Sequence, residues 1–418
     1  MDVKEDWYEL IGEGRLECLA PRADFRTPSD PVVCVGEAMA GAGFGDFVAA
    51  AAKGGPLSVV VNDAHRFTDT RSFIAALLLG LQETAASRIP LRLLVATGTH
   101  RADANERSDH EGAMLGDSAE RFDEISWHDA HHSEGLRRLG AHEFHHWMAE
   151  GGCYLACGSM EPHYFAGVTG AHKTLTVGVM SAASIQANHA HAMSADAAGL
   201  RLDGNPVHEG IVGALGELEN SGARLFAVNQ VLTAGHMVAC NAGHPLAALE
   251  SGLPTVRRCF AHEVDARADL VIACVDPPLD RDLYQADKGI KNTEAAVRDG
   301  GVLIMEAACR QGLGIDHFVE LLSVAATHTE ALAVVERRGY RLGDHKAVRL
   351  RALTDRRRVN VGIVTTGIDR AMEGVLGARV FATRAQAAAW ALQLLGDRPR
   401  CLLVEDAGNV SVSVGDDA

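Results

Sequence analysis

Aromatic residues make up only 5% of this 418-residue sequence, with 4 Trp, 5 Tyr and 12 Phe. Large rings cannot dominate the interior, so Ala, Val, Leu and Gly must fill it at close packing. A basic surplus is also lacking. Lys and Arg number 39 against 55 Asp and Glu, a net charge of −16, which excludes a scaffold built to neutralise nucleic-acid phosphates. Long apolar runs are missing too: stretches such as Phe73–Leu81 and Leu91–Ala96 fall far short of the ~20 residues that span a bilayer. The opening MDVKEDWYEL is charged and has no apolar signal core, so the cytoplasm is the expected compartment. Nine cysteines, odd in number and scattered, are expected as buried thiols and not as a disulfide framework. Cys153 and Cys157 are either a loosely spaced ligand pair or two core thiols. No Pro/Ser-rich linker, low-complexity tract or internal repeat separates one region from another.

What the chain has is alternation. Pro56–Asn62 reads as a buried strand, a polar turn follows, and Arg71–Ser87 has helical periodicity. Leu91–Ala96 is a second strand, and 102–115 a second helix. Gly167–Gly178 is a Gly- and Thr-rich loop, Ser181–Ala198 a helix, and Leu225–Val231 a strand. A new alternation starts near 268: strands at 270–275, 302–306, 359–365, 379–382 and 402–405, with helices from 283, 317, 329 and 384 between them. Strands alternating with helices predict an α/β fold with mostly parallel sheets. The renewed alternation predicts two α/β domains, 1–262 and 263–418, with the helix from about 384 expected to pack back on the first. In such sheets ligands sit beyond the carboxyl ends of the strands.

The chemistry-bearing residues fall at those ends. Asp63-x-x-Arg66 follows the first strand, either as a capped turn with one ion pair or as a guanidinium fork for a carboxylate or phosphate beside a carboxylate acceptor. Gly98-Thr99-His100-Arg101 ends the second, where a histidine suits acid/base work near neutrality, unless it only caps the turn. In 162–173, His163 and Lys173 flank a glycine-rich stretch, and a lysine there is a phosphate contact or a nucleophilic amine. The GxxxxGK[ST] phosphate loop is absent. Asn188-His189-Ala190-His191 offers two imidazoles for a metal or a helical surface pair. Tyr284-Gln285-Ala286-Asp287-Lys288 places Gln285 and Lys288 on one helical face. The dense field His128, His131, His132, His142, His145 and His146 is expected to be mostly solvated helix-face residues.

Taken together and in order, these places resemble the nickel-dependent lactate racemase family, over roughly residues 50–300. His163 to Lys173 is ten residues and Lys173 to His189 is sixteen, as the family leads one to expect, which favours His189 over His191 as the ligand. The resemblance implies a nickel-pincer nucleotide, a pyridinium-3-thioamide-5-thiocarboxylic acid mononucleotide that holds Ni(II). It implies that Lys173 tethers this group through a thioamide, that Gly170 and Asp63 lie on its side, and that His189 supplies the fourth nickel ligand. It implies an acid/base pair, His100 and His163, one for each enantiomer. Arg66 and Lys288 would hold the substrate carboxylate, with Asp63, Gln285 and Tyr284 lining an interdomain cleft. The implied activity is racemisation of lactate or a related short-chain 2-hydroxy acid by proton-coupled hydride transfer. The implied partners are that small molecule and the enzymes that assemble the cofactor, with no nucleic acid or membrane; self-association is left open. Two departures widen the substrate range toward malate, sugar acids and longer 2-hydroxy acids. Gly170-Ala171-His172-Lys173 stands where Gly-Gly is expected, without the later Pro-Gly, and no Trp occurs between 148 and 389. Outside the family, the competing reading is a histidine-rich zinc or nickel hydrolase using the 128–146 field, with His128 essential. His65 and His172 are extra imidazoles near the site, and no role is assigned to them.

Overall fold

The computed structural model describes residues 3–415 except 13, 14, 23, 26, 85 and 397. The chain forms two compact units, 22–259 and a discontinuous one made of 1–21 with 260–418. Both are α/β.

The first unit carries a six-stranded sheet in the spatial order His236–Gly243, Ala223–Thr233, Gly152–Ser159, Leu57–Asn62, Leu91–Ala96, Glu124–Trp127. All neighbours are parallel except the pair His236–Gly243 with Ala223–Thr233. Leu57–Asn62 is central, and Leu57 to Val61 are all buried. That is why it reads as an unbroken β-branched run and not as an alternating one. One face packs Val59, Val61 and Leu93 against helices Pro31–Gly41, Phe44–Ala51 and Thr70–Gln82. The other packs Val60, Leu94 and Ala156 against Phe144, Tyr154 and Ile185. Cys153 and Cys157 lie in a strand, buried, and burial raises both thiols, so they are core thiols. No single described helix is long and apolar enough to cross a membrane.

The discontinuous unit carries a fully parallel sheet in the order Leu16–Leu19, Cys401–Val404, Ala268–Cys274, Val297–Glu306, Asn360–Val364, Arg379–Phe381. The expected division at 262 lies at 259/260, and the first 21 residues do not join 22–259. The reason is strand pairing: Leu16–Leu19 hydrogen-bonds along Cys401–Val404. The helix Val3–Ile11 then inserts Trp7 and Ile11 into the core under Arg384–Leu395. The helix expected to pack back on 1–262 therefore packs in this unit, through Ala387, Ala388 and Ala391.

Two further expectations change. The segment 136–148 is an antiparallel hairpin, Leu136–Leu139 with His142–His145, and not a helix. Gly140, at φ +56°, makes the turn that only glycine adopts readily. The helix expected through Ala198 ends at Ala190.

Candidate functional site

The strand ends of the 22–259 unit build the site. After Asn62 the chain turns through Asp63, whose Oδ1 accepts the backbone N–H of His65 at 3.1 Å, a side-chain-stabilised turn. Asp69 then caps helix Thr70–Gln82 by accepting from Ser72 N–H at 3.0 Å. After Leu91–Ala96, Gly98 at φ +56° donates its N–H to Gly178 O at 2.9 Å and brings Thr99 and His100 over the same end. The short helix Ala171–Thr174 lies on strand Gly152–Ser159 at Gly158, where a Cβ would sit 2.6 Å from Ala171 N. Asn229 Oδ1 fixes that helix by accepting from Ala171 N–H at 2.8 Å.

These turns bring Asp63, Arg66, His100, His163, Gly170, Lys173 and His189 around one cavity of about 120 Å³. Asp63 is 5% exposed, and its Oδ2 accepts from His100 Nδ1 at 2.9 Å and His65 Nδ1 at 3.1 Å. Burial would raise this carboxyl, but the charge and hydrogen bond of His100, with those of His65, hold it well below the carboxylate range. With Nδ1 of His100 committed to Asp63, Nε2 is the nitrogen left to exchange a proton in the cavity. His163 has the opposite arrangement. Its Nδ1 accepts from Ala166 N–H at 3.3 Å, so the neutral ring carries its proton on Nε2.

Lys173 is 8% exposed, and its amine has no hydrogen-bond or ion-pair partner among the described residues. Burial, then the charge of Arg66, pushes that amine well below its usual range, with Glu161 pulling weakly the other way. A neutral amine is the nucleophilic form. Arg66 approaches Glu161 only loosely, Nη1 to Oε1 at 3.8 Å, which leaves its fork available. His189, on helix Ala182–Ala190, meets Phe165 edge-on at 5.0 Å between centroids.

The family model described as the lactate racemase N-terminal domain matches residues 16–200, and that of the lactate racemase C-terminal domain matches 264–346. The chain belongs to the lactate racemase family. The lactate racemase of Thermoanaerobacterium thermosaccharolyticum is 29% identical over 271 residues, 62% of this chain and 61% of that protein. That of Lactiplantibacillus plantarum is 28% identical over 276 residues, 63% of each. The aligned part thus spans about three fifths of these relatives. The fold matches the Thermoanaerobacterium thermosaccharolyticum lactate racemase apoprotein with a TM-score of 0.82 at 24% identity, over 95% of both chains. It matches a Thermotoga maritima protein at 0.72 and 14%, over 93% of this chain and all of the other.

Against this family background, the remaining expected residues fall elsewhere. Tyr284, Gln285 and Lys288 lie on helix Leu283–Thr293 of the discontinuous unit, where Lys288 is 8% exposed. Lys346 Nζ donates to Tyr284 O at 2.6 Å and fixes the start of that helix. The 128–146 histidines form no three-donor cluster among the described residues. His128 and His145 are buried, and burial holds them neutral, at about 4 and about 3. His128 bonds Met180 O through Nε2 at 2.8 Å, and His142 pairs with Glu217 at 2.8 Å. Among the described residues, only Asp63, His65 and His100 form a three-donor cluster. It forms a hydrogen-bond network: both Nδ1 atoms reach the same Asp63 oxygen, and the two rings stack at 4.0 Å and 28°.

Sequence reasoning missed His65 as a partner of Asp63, although the Asp-x-His spacing offers it. It also missed Glu161, two residues before His163. Thr174 donates its hydroxyl to Asn62 Oδ1 at 2.9 Å, a tie between a helix end and a strand end 112 residues apart that no local signal reveals. His172 does not line the cavity; it is fully buried, 5.7 Å from the His208 ring.

Proposed function

We propose that this protein is an isomerase that racemises lactate or a related short-chain 2-hydroxy acid with a nickel-pincer nucleotide held on Lys173. One observation carries the reading. A buried, unpartnered lysine amine, pushed well below its usual range by burial, lines the same cavity as His189 and as two histidines whose Nδ1 atoms are engaged differently, His100 by Asp63 and His163 by Ala166 N–H. The donor set fits the cofactor: the Lys173 amine would form the covalent thioamide and the His189 imidazole would ligate the nickel.

When bound, the cofactor supplies a reversible acceptor for the Cα hydride, which avoids a carbanion next to a carboxylate. The protein's own residues handle the rest. Arg66 holds the substrate carboxylate, and by the family resemblance Lys288, Gln285 and Tyr284 also serve the substrate. His100 Nε2 takes the hydroxyl proton, and Asp63 steadies the imidazolium that results. On the return, a protonated His163 gives its Nε2 proton to the substrate oxygen and is left neutral, and exchange with solvent restores both rings. For the other enantiomer the two histidines exchange roles, which requires His163 to release Ala166. None of the four tryptophans lines the cavity, so malate and longer 2-hydroxy acids belong in the assay beside lactate.

The test is intact-mass spectrometry after co-expression with cofactor-assembly enzymes. The expected result is an adduct of several hundred daltons on the wild-type chain, absent from Lys173→Ala together with racemisation. Racemisation by adduct-free protein would overturn the reading.

A further inference from the structure

A second cavity, of about 680 Å³, lies over the carboxyl ends of the parallel sheet in the discontinuous unit. Strands Ala268–Cys274, Val297–Glu306 and Asn360–Val364 end beneath it, and helices Val3–Ile11 and Arg384–Leu395 flank it. It shares no residue with the cavity around Lys173. This end of an open parallel sheet is where ligands bind, and the volume is that of a small-molecule site.

Charge decides the class of ligand. Five carboxylates line the cavity (Asp6, Glu9, Asp276, Asp280 and Glu306) against one cation, Arg384. Arg384 is already neutralised. It grips both oxygens of Glu306 at 2.6–2.9 Å and pairs with Asp6. Trp7 Nε1 donates to the same Glu306 at 2.8 Å. Asp280 is the exception. It is 9% exposed, and its carboxylate lines the cavity with no hydrogen-bond or ion-pair partner among the described residues. A buried carboxylate without a partner is costly, and a cation relieves that cost. Partial burial and the charges of Asp280, Glu405 and Glu306 also raise the Asp276 carboxyl, as crowded like charges do.

The four surplus negative charges repel phosphate and carboxylate ligands, although a helix N-terminus lies beside them. A single metal ion would leave most of the volume empty, and no three of these carboxylates converge as ligands among the described residues. Leu10, Val275, Ala307 and Val364 supply apolar wall for a methylene chain. We infer that this cavity is a second ligand site, for an aliphatic polyamine with one ammonium on Asp280.

The experiment is isothermal titration of the full chain with spermidine at low salt. The expected result is 1:1 binding, weakened about tenfold or more in Asp280→Asn. The exposed Asp276→Asn weakens it less, and Glu336→Gln, exposed on a distant helix, leaves it unchanged. Asp276→Asn keeps the test decisive should Asp280→Asn fail to fold. No binding at millimolar spermidine overturns the inference. So does equal weakening by Glu336→Gln, which signals diffuse attraction to a chain of net charge −16. Displacement of spermidine by Mg²⁺ with the same Asp280 dependence makes the site a metal site and overturns it as well.

Discussion

Asp63 shows how one carboxylate can organise two imidazoles. Its Oδ2 accepts from both His65 and His100 while Oδ1 holds the turn. Asp63→Asn keeps the shape but turns an acceptor into a mixed donor and acceptor, so His100 loses its fixed tautomer. In cofactor-loaded enzyme, racemisation should fall by about 10²-fold or more, while the adduct on Lys173 stays intact by mass. His128 and His145 make a different prediction. Burial holds their folded-state values at about 4 and about 3, against about 6.5 in an unfolded chain. Between those values the unfolded state binds more protons, so stability falls as pH drops from about 6.5 toward 4. Urea unfolding should show this loss in the wild type and a smaller one in the His128→Gln, His145→Gln double variant.

The element that matters most is the short helix Ala171–Thr174. Four residues cannot hold themselves helical in water; this turn exists because Gly158 lets it touch the strand and Asn229 caps its first N–H. In Gly158→Ala the new Cβ meets backbone at 2.6–2.7 Å, so the helix must shift. A cost of about 1–3 kcal/mol is expected, read as a lower Tm, together with a smaller tethered fraction by mass. The hairpin Leu136–His145 was misread as a helix because its charged and apolar residues satisfy both periods over so short a span. Gly140, whose φ is +56°, favours the turn. Strand Gly152–Ser159 was not recognised because Gly and Cys dilute its β-branched signal, although all of it beyond Gly152 is buried.

At the scale of the molecule, the discontinuous unit depends on its remote amino-terminal segment. Trp7 is fully buried, bonded to Glu306, and packed with Ile11 against the sheet and helix Arg384–Leu395. Trp7→Ala should cost about 3–5 kcal/mol. Hydrogen exchange should report that loss in residues 260–415 and leave Leu57–Asn62 and Gly152–Ser159 protected. Equal loss in both units would contradict the division of the chain at 259/260.

Order and spacing alone determined the α/β class, the strand-end positions of Asp63 and His100, and the Lys173–His189 interval. Period-2 and period-3.6 patterning and residue type are local properties. Tertiary structure decided the rest. Packing left Lys173 without a partner, and Asp63 joined His65 to His100, occupying Nδ1 of His100 from 37 residues away. Pairing of Leu16–Leu19 with Cys401–Val404 assigned the first residues to the far half of the chain. Such contacts join residues up to hundreds of positions apart, and their energies depend on burial and geometry that no local pattern encodes.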